Sequence, residues 1–183
     1  MELERKAFPK LFVRTAVVIT TISERGISNA APFSFNSPIS FDPPLYGFSC
    51  NPAHDTWRNI QANGEFVVNV VGKDLAECMY ILEADYPYED SEIAHAGLTE
   101  APAKVVKPPR IEEALAWIEC TLDQYIELGD HIWIAGGVMA VEVKDEIWTE
   151  AGLLDVEKAN LLCHVAGESF AVDMKEARFE RAK

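Results

Sequence analysis

Residues 28–60, SNAAPFSFNSPISFDPPLYGFSCNPAHDTWRNI, differ in composition from the rest of the chain. Between Ile27 and Ala53 the only charged residue is Asp42, whereas 25% of the whole chain is charged. Serine, asparagine, proline and aromatic residues take the place of the charged ones. A surface of this composition is suited to a large, flat, mostly neutral ligand that carries hydroxyl groups.

The same stretch runs into a predicted helix over residues 55–63, for which Asp55 or Thr56 is the expected N-cap and Asn63-Gly64 the expected stop. The N-terminus of a helix presents unpaired backbone N–H groups and favours anions. A neutral polar wall followed by an anion site is what flavin mononucleotide (FMN) requires, because FMN joins a ring to a phosphate through a ribityl chain.

A hairpin precedes this helix in the predicted order of elements. Residues 13–22 are rich in Val, Ile and Thr and predict a strand, and residues 27–35 predict its partner after a turn at 23–26. Pro32 lacks an N–H group, so it predicts a sheet edge or a bulge that a ligand could cover.

Alternation along the second strand predicts which side chains face a ligand. Ser34 and Asn36 are expected on one side, where they meet the ligand, and Phe33 and Phe35 on the other, where they fill the core. The two alanines before Pro32 are small enough to let a flat ring approach the backbone.

The remaining elements are mostly strands. Before the helix at 55–63 we predict a polar lead-in at 1–10, a loop at 37–44 and a strand at 45–49. After it we predict a strand at 66–71, a helical insertion at 75–84 and 91–96, and an irregular segment at 100–110. Long strands at 114–128 and 131–143 then flank a turn at Gly129-Asp130, followed by a short helix at 153–162 and a polar tail at 175–183. Long adjacent strands without helices between them favour a closed or partly closed antiparallel barrel and disfavour a doubly wound fold. We predict one mainly β domain over 1–183, with a core at about 10–170 and a few peripheral helices.

Composition excludes several classes of partner. The formal charge of −14, from 16 basic and 30 acidic residues, argues against nucleic acid or an anionic membrane as the main partner. The N-terminus has no apolar signal core, and no apolar run is long enough to span a bilayer. These features predict a soluble cytoplasmic protein without a membrane partner.

Sequence motifs for other chemistries are missing. There is no G-x-G-x-x-G fingerprint, phosphate loop, H-E-x-x-H or G-x-S-x-G motif. Cys50, Cys78, Cys120 and Cys163 are widely spaced, which predicts reduced, mostly buried thiols and no metal site. A reduced nicotinamide, NADH or NADPH, would therefore bind transiently against an exposed flavin face.

Three motifs in order resemble the flavin reductase-like family: Asn29-Ala30-Ala31-Pro32-Phe33-Ser34-Phe35-Asn36, Asp42-Pro43-Pro44-Leu45 and Asp55-Thr56-Trp57-Arg58-Asn59-Ile60. Shorter matches follow at Gly129-Asp130-His131, Gly137-Val138 and His164-Val165-Ala166-Gly167. The resemblance implies a split antiparallel β-barrel of Greek-key type that binds FMN at a homodimer interface. It also implies reduction of flavin by NADH or NADPH, with electrons passing to free flavin, oxygen or a partner protein.

The resemblance assigns residues to this chemistry. The implied FMN-binding residues are Asn29, Ala30, Ala31, Pro32, Phe33, Ser34, Phe35, Asn36, Ser49, Cys50, Asn51, His54, Asp55, Thr56 and Asn59. Residues 29–36 are expected at the ring and ribityl chain, and residues 49–56 at the phosphate. His131 and His164 are the catalytic candidates, next to the flavin and the nicotinamide. His54 stands where the family often has lysine, which predicts weaker or pH-dependent FMN binding.

Plainer alternatives remain open from the residues alone. Asp55 and Thr56 could serve only as helix caps, and His131 and His164 could be structural. Lys107 and Arg110 could help to hold a phosphate or could be solvated loop charges. Two other functions also fit the barrel: an FMN-binding electron carrier of the flavoredoxin type, which has no nicotinamide site, and an interaction module that has lost the cofactor.

Overall fold

The structure is a computed structural model that describes residues 1–179. The strands are β1 (Arg14–Thr15), β2 (Val17–Ile22), β3 (Ser28–Phe33), β4 (Asn36–Phe41), β5 (Pro44–Cys50), β6 (Glu65–Val70), β7 (Glu100–Ala101), β8 (Arg110–Ile111), β9 (Ala116–Leu128), β10 (His131–Val143), β11 (Cys163–Ala166) and β12 (Ser169–Ala171). The helices are α1 (Asp55–Asn63), α2 (Cys78–Glu83), α3 (Glu92–His95) and α4 (Val156–Ala159), and 3-10 turns occupy Arg5–Leu11, Lys73–Leu75 and Asp145–Ile147.

Seven strands form one antiparallel sheet in the order β3-β2-β6-β9-β10-β5-β4. Its end strands, β3 and β4, are joined in the chain only by Ser34 and Phe35. A flat sheet would hold its end strands about 29 Å apart, six spacings of about 4.8 Å, whereas this short link reaches only about 10 Å. The sheet therefore curls until its ends meet, and Ser49 N–H donates to Phe35 O at 2.8 Å at this seam. The mainly β barrel predicted from the sequence is confirmed.

Strand β2 is buried on both faces. Val17 and Ile19 pack inside the barrel with Phe48 and Phe66. The intervening Val18 belongs to a second cluster on the outer face of the sheet, with residues of α2 and α3. The predicted helical insertion thus covers the outside of the β2–β3 hairpin.

The predicted loop at 37–44 is wrong, because these residues form most of the β4–β5 hairpin. Three prolines led to that prediction. However, β4 is the last strand of the sheet, and an edge strand tolerates a residue without an N–H group. Its register also shifts between Pro38 and Ser40, which is the irregularity that proline favours.

The predicted alternation fails after Phe33, which is buried as expected. The chain bends at Ser34 and Phe35, outside either strand, and the Phe35 side chain is 41% exposed. Asn36 turns inward, where its amide donates to Thr15 O at 2.9 Å and accepts from the Tyr46 hydroxyl at 2.7 Å. The expectation that Phe35 fills the core was therefore wrong, whereas Asn36 uses both groups of its amide within the protein.

Helix α1 has the predicted bounds, and Gly64 ends it with a left-handed φ of 69°. The N-cap is His54 rather than Asp55 or Thr56, and it makes no side-chain capping hydrogen bond. Strand β10 also has the predicted bounds. The turn before it holds Gly129 at φ 64°.

Other boundaries differ modestly from the prediction. The N-terminal lead-in contains a 3-10 turn at Arg5–Leu11, and the segment 100–110 begins and ends in the short strands β7 and β8. Of the predicted polar tail, residues 175–179 have no regular structure, and residues 180–183 lie outside the described part. No helix within residues 1–179 is long and apolar enough to cross a membrane.

We expect Gly136→Ala to lower the free energy of unfolding by about 1–3 kcal/mol, the usual cost of overpacking a core. A Cβ at Gly136 would lie 2.7 Å from Cε1 of Phe66, a fully buried ring with little room to move. Gly137→Ala is the matched control, because its Cβ would meet nothing closer than Thr121 Oγ1 at 3.7 Å. Chemical denaturation of both variants tests this, and equal stabilities would contradict the packing described.

Candidate functional site

A cavity of about 360 Å³ opens at the bend between β3 and β4. Its walls come from the bend, the loop between β5 and α1, the start of β10, strand β11 and the N-terminal 3-10 turn. The lining residues are Lys6, Pro9, Lys10, Arg14, Pro32, Phe33, Ser34, Phe35, Ser49, Asn51, His54, His131, His164, Val165 and Ala166. We call it the basic cavity.

The charge of this cavity opposes that of the chain. Lys6, Lys10 and Arg14 line it together with three histidines, and no carboxylate is among its lining residues. The chain as a whole carries a formal charge of −14. A concave site lined by several positively charged side chains favours an anionic ligand, even in a protein that is acidic as a whole.

Arg14 ties the N-terminal turn to strand β11. Its Nη1 donates to Pro9 O, and its Nη2 donates to Val165 O at 2.9 Å and lies 3.3 Å from His164 Nδ1. The guanidinium carbon lies 5.0 Å from the centre of the Phe35 ring. Its Nε atom is buried without a hydrogen-bond partner among the described residues. Arg14 is thus both a cation of the cavity and the clamp that holds its rim.

Hydrogen bonds define the tautomer of His164. Its Nε2 lies 3.1 Å from Gly167 O, which can only accept, so Nε2 carries the proton. Its Nδ1 then accepts, from Ser34 Oγ at 3.0 Å and from Arg14. The geometry therefore fits a neutral imidazole that fixes the Ser34 hydroxyl at the bend.

His131 lies near Phe35, at the other side of the bend. Its ring centre is 6.5 Å from that of Phe35, and its Nδ1 is 2.8 Å from Asp130 Oδ1. The hydrogen bond from His131 lowers the pKa of Asp130 below its usual value. Both predicted catalytic histidines thus line the same cavity, as do Ser49, Asn51 and His54 of the β5–α1 loop.

A second cavity, of about 320 Å³, meets the first at Pro32 and His54, which line both. Its lining residues are Asn29, Ala31, Pro32, Ala53, His54, Asp55, Thr56, Leu82, Glu83, Ala84, Asp85, Tyr86 and Glu92. We call it the acidic cavity because four carboxylates line it.

The two hydroxyls predicted to share a phosphate lie in different cavities. Ser49 lines the basic cavity and Thr56 the acidic one. The Thr56 hydroxyl is already used, since it donates to Asn29 Oδ1 at 3.1 Å. Carboxylates repel a phosphate, so the surroundings of Ser49 suit it better than those of Thr56.

Four predicted contact residues line neither of these cavities: Asn36, described above, and Ala30, Asn59 and Cys50. Ala30 is fully buried, and its N–H donates to Glu92 Oε2 at 3.0 Å. Asn59 is held inside by Thr21 and Tyr88. Burial also raises the pKa of Cys50 to about 12, so this side chain is an unreactive thiol. Ala30, Asn59 and Cys50 are buried behind the walls of these cavities and do not form part of the cavity surface.

Several lining residues were missed by the sequence analysis. Lys6, Lys10 and Arg14 come from a segment interpreted as a polar lead-in and a strand. The available signal was a cluster of basic residues near the start of an acidic chain.

Arg110 was expected at a phosphate or on a solvated loop, and both expectations were wrong, because it is buried and ion-paired with Glu119.

A third cavity, of about 330 Å³, lies against the basic cavity. Its lining residues are Ala16, Pro32, Phe33, Ser34, Met79, Tyr80, Glu83, His164, Gly167, Glu168 and Phe170. We call it the aromatic cavity. Over residues 1–179, no three His, Cys, Asp or Glu side chains are grouped so as to hold a metal ion, and all four cysteines are free thiols.

Comparison with known proteins identifies the family of this chain. Residues 10–159 match the family described as flavin reductase like domain. An uncharacterized protein of Halalkalibacterium halodurans is 40% identical over 121 residues, which cover 63% of this chain and 58% of that relative. The match thus spans little more than half the length of that relative.

Two solved structures share the fold over nearly the whole chain. Nitrilotriacetate monooxygenase component B from Bacillus cereus has a TM-score of 0.88 at 26% identity, covering 97% of this chain and 95% of its own. An FMN-binding protein from Thermus thermophilus has a TM-score of 0.83 at 20% identity, covering 98% and 97%. The fold is that of a split-barrel protein of the flavin reductase-like type. The chain belongs to the flavin reductase-like family, which confirms the resemblance seen in the sequence.

Proposed function

We propose that this chain binds FMN in the basic cavity and acts as a flavin reductase that uses NADH or NADPH. The observation that carries the proposal is a cavity with three permanent cations and no lining carboxylate, in a flavin reductase-like chain whose net charge is −14. Family membership makes flavin the ligand to test first. The structural similarity to the FMN-binding protein from Thermus thermophilus supports FMN as the form of flavin that binds.

The polar groups of the cavity fit the parts of FMN. Ser49 supplies a hydroxyl and Asn51 an amide, and Ser34 supplies a hydroxyl oxygen that can accept, since its proton is donated to His164. Phe35 supplies a half-exposed aromatic wall. Lys6, Lys10 and Arg14 supply the positive potential that a phosphate in this cavity would meet. We assign the phosphate to the end formed by Ser49, Asn51 and His54, and the ring to the bend at Ser34 and Phe35.

Bound FMN would supply the hydride chemistry, and the chain would position it. In this proposal His164 accepts the proton of the Ser34 hydroxyl and so leaves the Ser34 oxygen to accept from the ring. His131, exposed at the mouth of the cavity, is positioned by Asp130 and lies where a nicotinamide would enter. The electrons would then pass to free flavin, oxygen or a partner protein in the cytoplasm.

We also propose that the protein is a homodimer. Exposed apolar side chains lie on the edge strand β4, at Ile39 and Phe41, and on β10, at Met139 and Val141. Phe41 is 98% exposed, which is unusual for phenylalanine unless another molecule covers it. Sedimentation of Phe41→Glu against the natural protein tests this, and a monomer in both would contradict the proposal.

The phosphate assignment predicts that FMN binds more tightly than riboflavin, which has the same ring and ribityl chain but no phosphate. We expect a difference of about tenfold or more, because charge-assisted hydrogen bonds contribute about 1.5–3 kcal/mol. His54→Lys should widen the difference, and Ser49→Ala should narrow it. Fluorescence titration of both flavins measures the ratio. Equal affinities for FMN and riboflavin would contradict the proposed site.

A further inference from the structure

The aromatic cavity and the basic cavity share a wall but differ in charge. Pro32, Phe33, Ser34 and His164 line both. Beyond that shared wall the basic cavity is lined by Lys6, Lys10 and Arg14. The aromatic cavity is lined instead by Glu83 and Glu168, and no lysine or arginine is among its lining residues. A ligand in the aromatic cavity would therefore contact the wall of the proposed flavin site in a field of opposite sign.

The remaining walls of this cavity are aromatic. The Phe170 ring centre lies 6.4 Å from that of Tyr80 and 5.2 Å from that of His164. Glu83 and Glu168 line the cavity together with Tyr80. Partial burial and the negative charges of Glu168 and Glu83 raise the pKa of Tyr80. Aromatic faces beside carboxylates attract cations, and flat aromatic cations gain ring contacts as well.

We propose that the aromatic cavity binds planar aromatic cations and that it selects the electron acceptor of the proposed flavin site by charge. The role as acceptor site rests on the proposed function, whereas the binding of the cation does not. Glu83 and Glu168 supply the electrostatic attraction, Tyr80 and Phe170 supply the stacking surface, and Pro32 separates the cation from the basic cavity. Anions such as a second FMN are repelled from this side.

The test uses the purified protein loaded with FMN and two probes of the same shape, N-methylacridinium and neutral acridine, in equilibrium dialysis. We expect Glu83→Gln/Glu168→Gln to raise the Kd of the cation roughly fivefold to tenfold, since each exposed carboxylate contributes modestly. The Kd of acridine should not change. Tyr80→Ala should raise the Kd of both probes, because it removes the stacking surface. Glu150→Gln, in a turn that lines none of the cavities described, is the control and should change neither.

An unchanged Kd for the cation in the double carboxylate variant would overturn the proposal, as would equally tight binding of an anionic ring such as anthraquinone-2-sulfonate. A second copy of the chain that covered the aromatic cavity would keep both acridine probes from binding. In that case Tyr80→Ala would change the sedimentation coefficient, and this result would also overturn the proposal. Dialysis without FMN distinguishes failure of this proposal from failure of the proposed function. If only the proposed function fails, the cation still binds in the aromatic cavity with the Kd values predicted here.

Discussion

Arg110→Met is expected to lower the free energy of unfolding by about 3–5 kcal/mol, because it leaves a buried charge without its partner. Arg110 Nε donates to Glu119 Oε1 at 2.8 Å, and its Nη1 donates to Glu142 Oε2 at 2.9 Å. The Glu119 side chain is 0% exposed and the Arg110 side chain 7% exposed. After the substitution, Glu119 keeps only the N–H groups of Lys104 and Val105.

Two comparisons isolate this effect in urea denaturation. Arg25→Met breaks an ion pair between side chains that are 74% and 53% exposed, and it should change stability little. Adding Glu119→Gln to Arg110→Met should recover part of the loss, since the neutral amide costs less to bury. A loss below about 1 kcal/mol for Arg110→Met would contradict the buried pair.

The pH dependence of the same variant has a definite sign. Burial alone raises the pKa of Glu119, but hydrogen bonds from Lys104 and Val105 and the charge of Arg110 outweigh it, so the net shift is downward from 4.5. A carboxylate with a lowered folded pKa stabilises the protein above its ordinary pKa, and this contribution is lost as the pH falls through the folded pKa. The gap in stability between the natural protein and Arg110→Met should therefore narrow below about pH 4.5.

Arg14→Ala is expected to weaken FMN binding by roughly tenfold, the equivalent of about 1.4 kcal/mol, because the guanidinium acts on the phosphate through the positive potential of the cavity. The substitution removes one cation from the basic cavity. It also releases the N-terminal turn, which carries Lys6 and Lys10, from Val165. Both effects lower the positive potential that the phosphate meets.

Riboflavin binding separates these effects from a loss of fold. Arg14→Ala should weaken riboflavin less than FMN, because riboflavin lacks the phosphate. Arg14→Lys should fall between the natural protein and Arg14→Ala, since lysine keeps the charge but not the forked contacts to two carbonyls. Lys158→Ala, on α4, should bind FMN normally. FMN affinity that survives Arg14→Ala would show that the basic cavity is not the phosphate site.

The sequence predicted the barrel well because its signals there are local. The β-branched run of β2, the turn at Gly129 and the glycine after α1 each determine a strand, turn or helix end without long-range help. The edge strand β4 was missed because proline prevents pairing only where an N–H group is needed. That condition depends on the position of a strand in the sheet, which the local sequence does not contain.

The candidate site was harder to predict for the same reason. The bend at Ser34 and Phe35 exists because β3 and β4 lie at opposite ends of a curled sheet, and it reverses the expected facing of Phe35 and Asn36. Arg14 and Lys6 precede the family motif, and contacts of β1 and the N-terminal 3-10 turn with β11 hold them at the site. The motif residues Ala30 and Asn59 lie near these cavities, but their polar groups are bonded inside the protein. Ala30 N–H donates to Glu92 of α3, and Asn59 is bonded to Thr21 of β2 and to Tyr88.

The most direct test of the proposed function is to add NADH, and then NADPH, to the FMN-loaded protein without oxygen and to follow the flavin absorption band. We expect at least one of NADH and NADPH to bleach the flavin band within seconds. We also expect His131→Ala to slow this bleaching more than it weakens FMN binding. Bound flavin that keeps its absorption with both nicotinamides would contradict the reductase and leave an FMN-binding electron carrier.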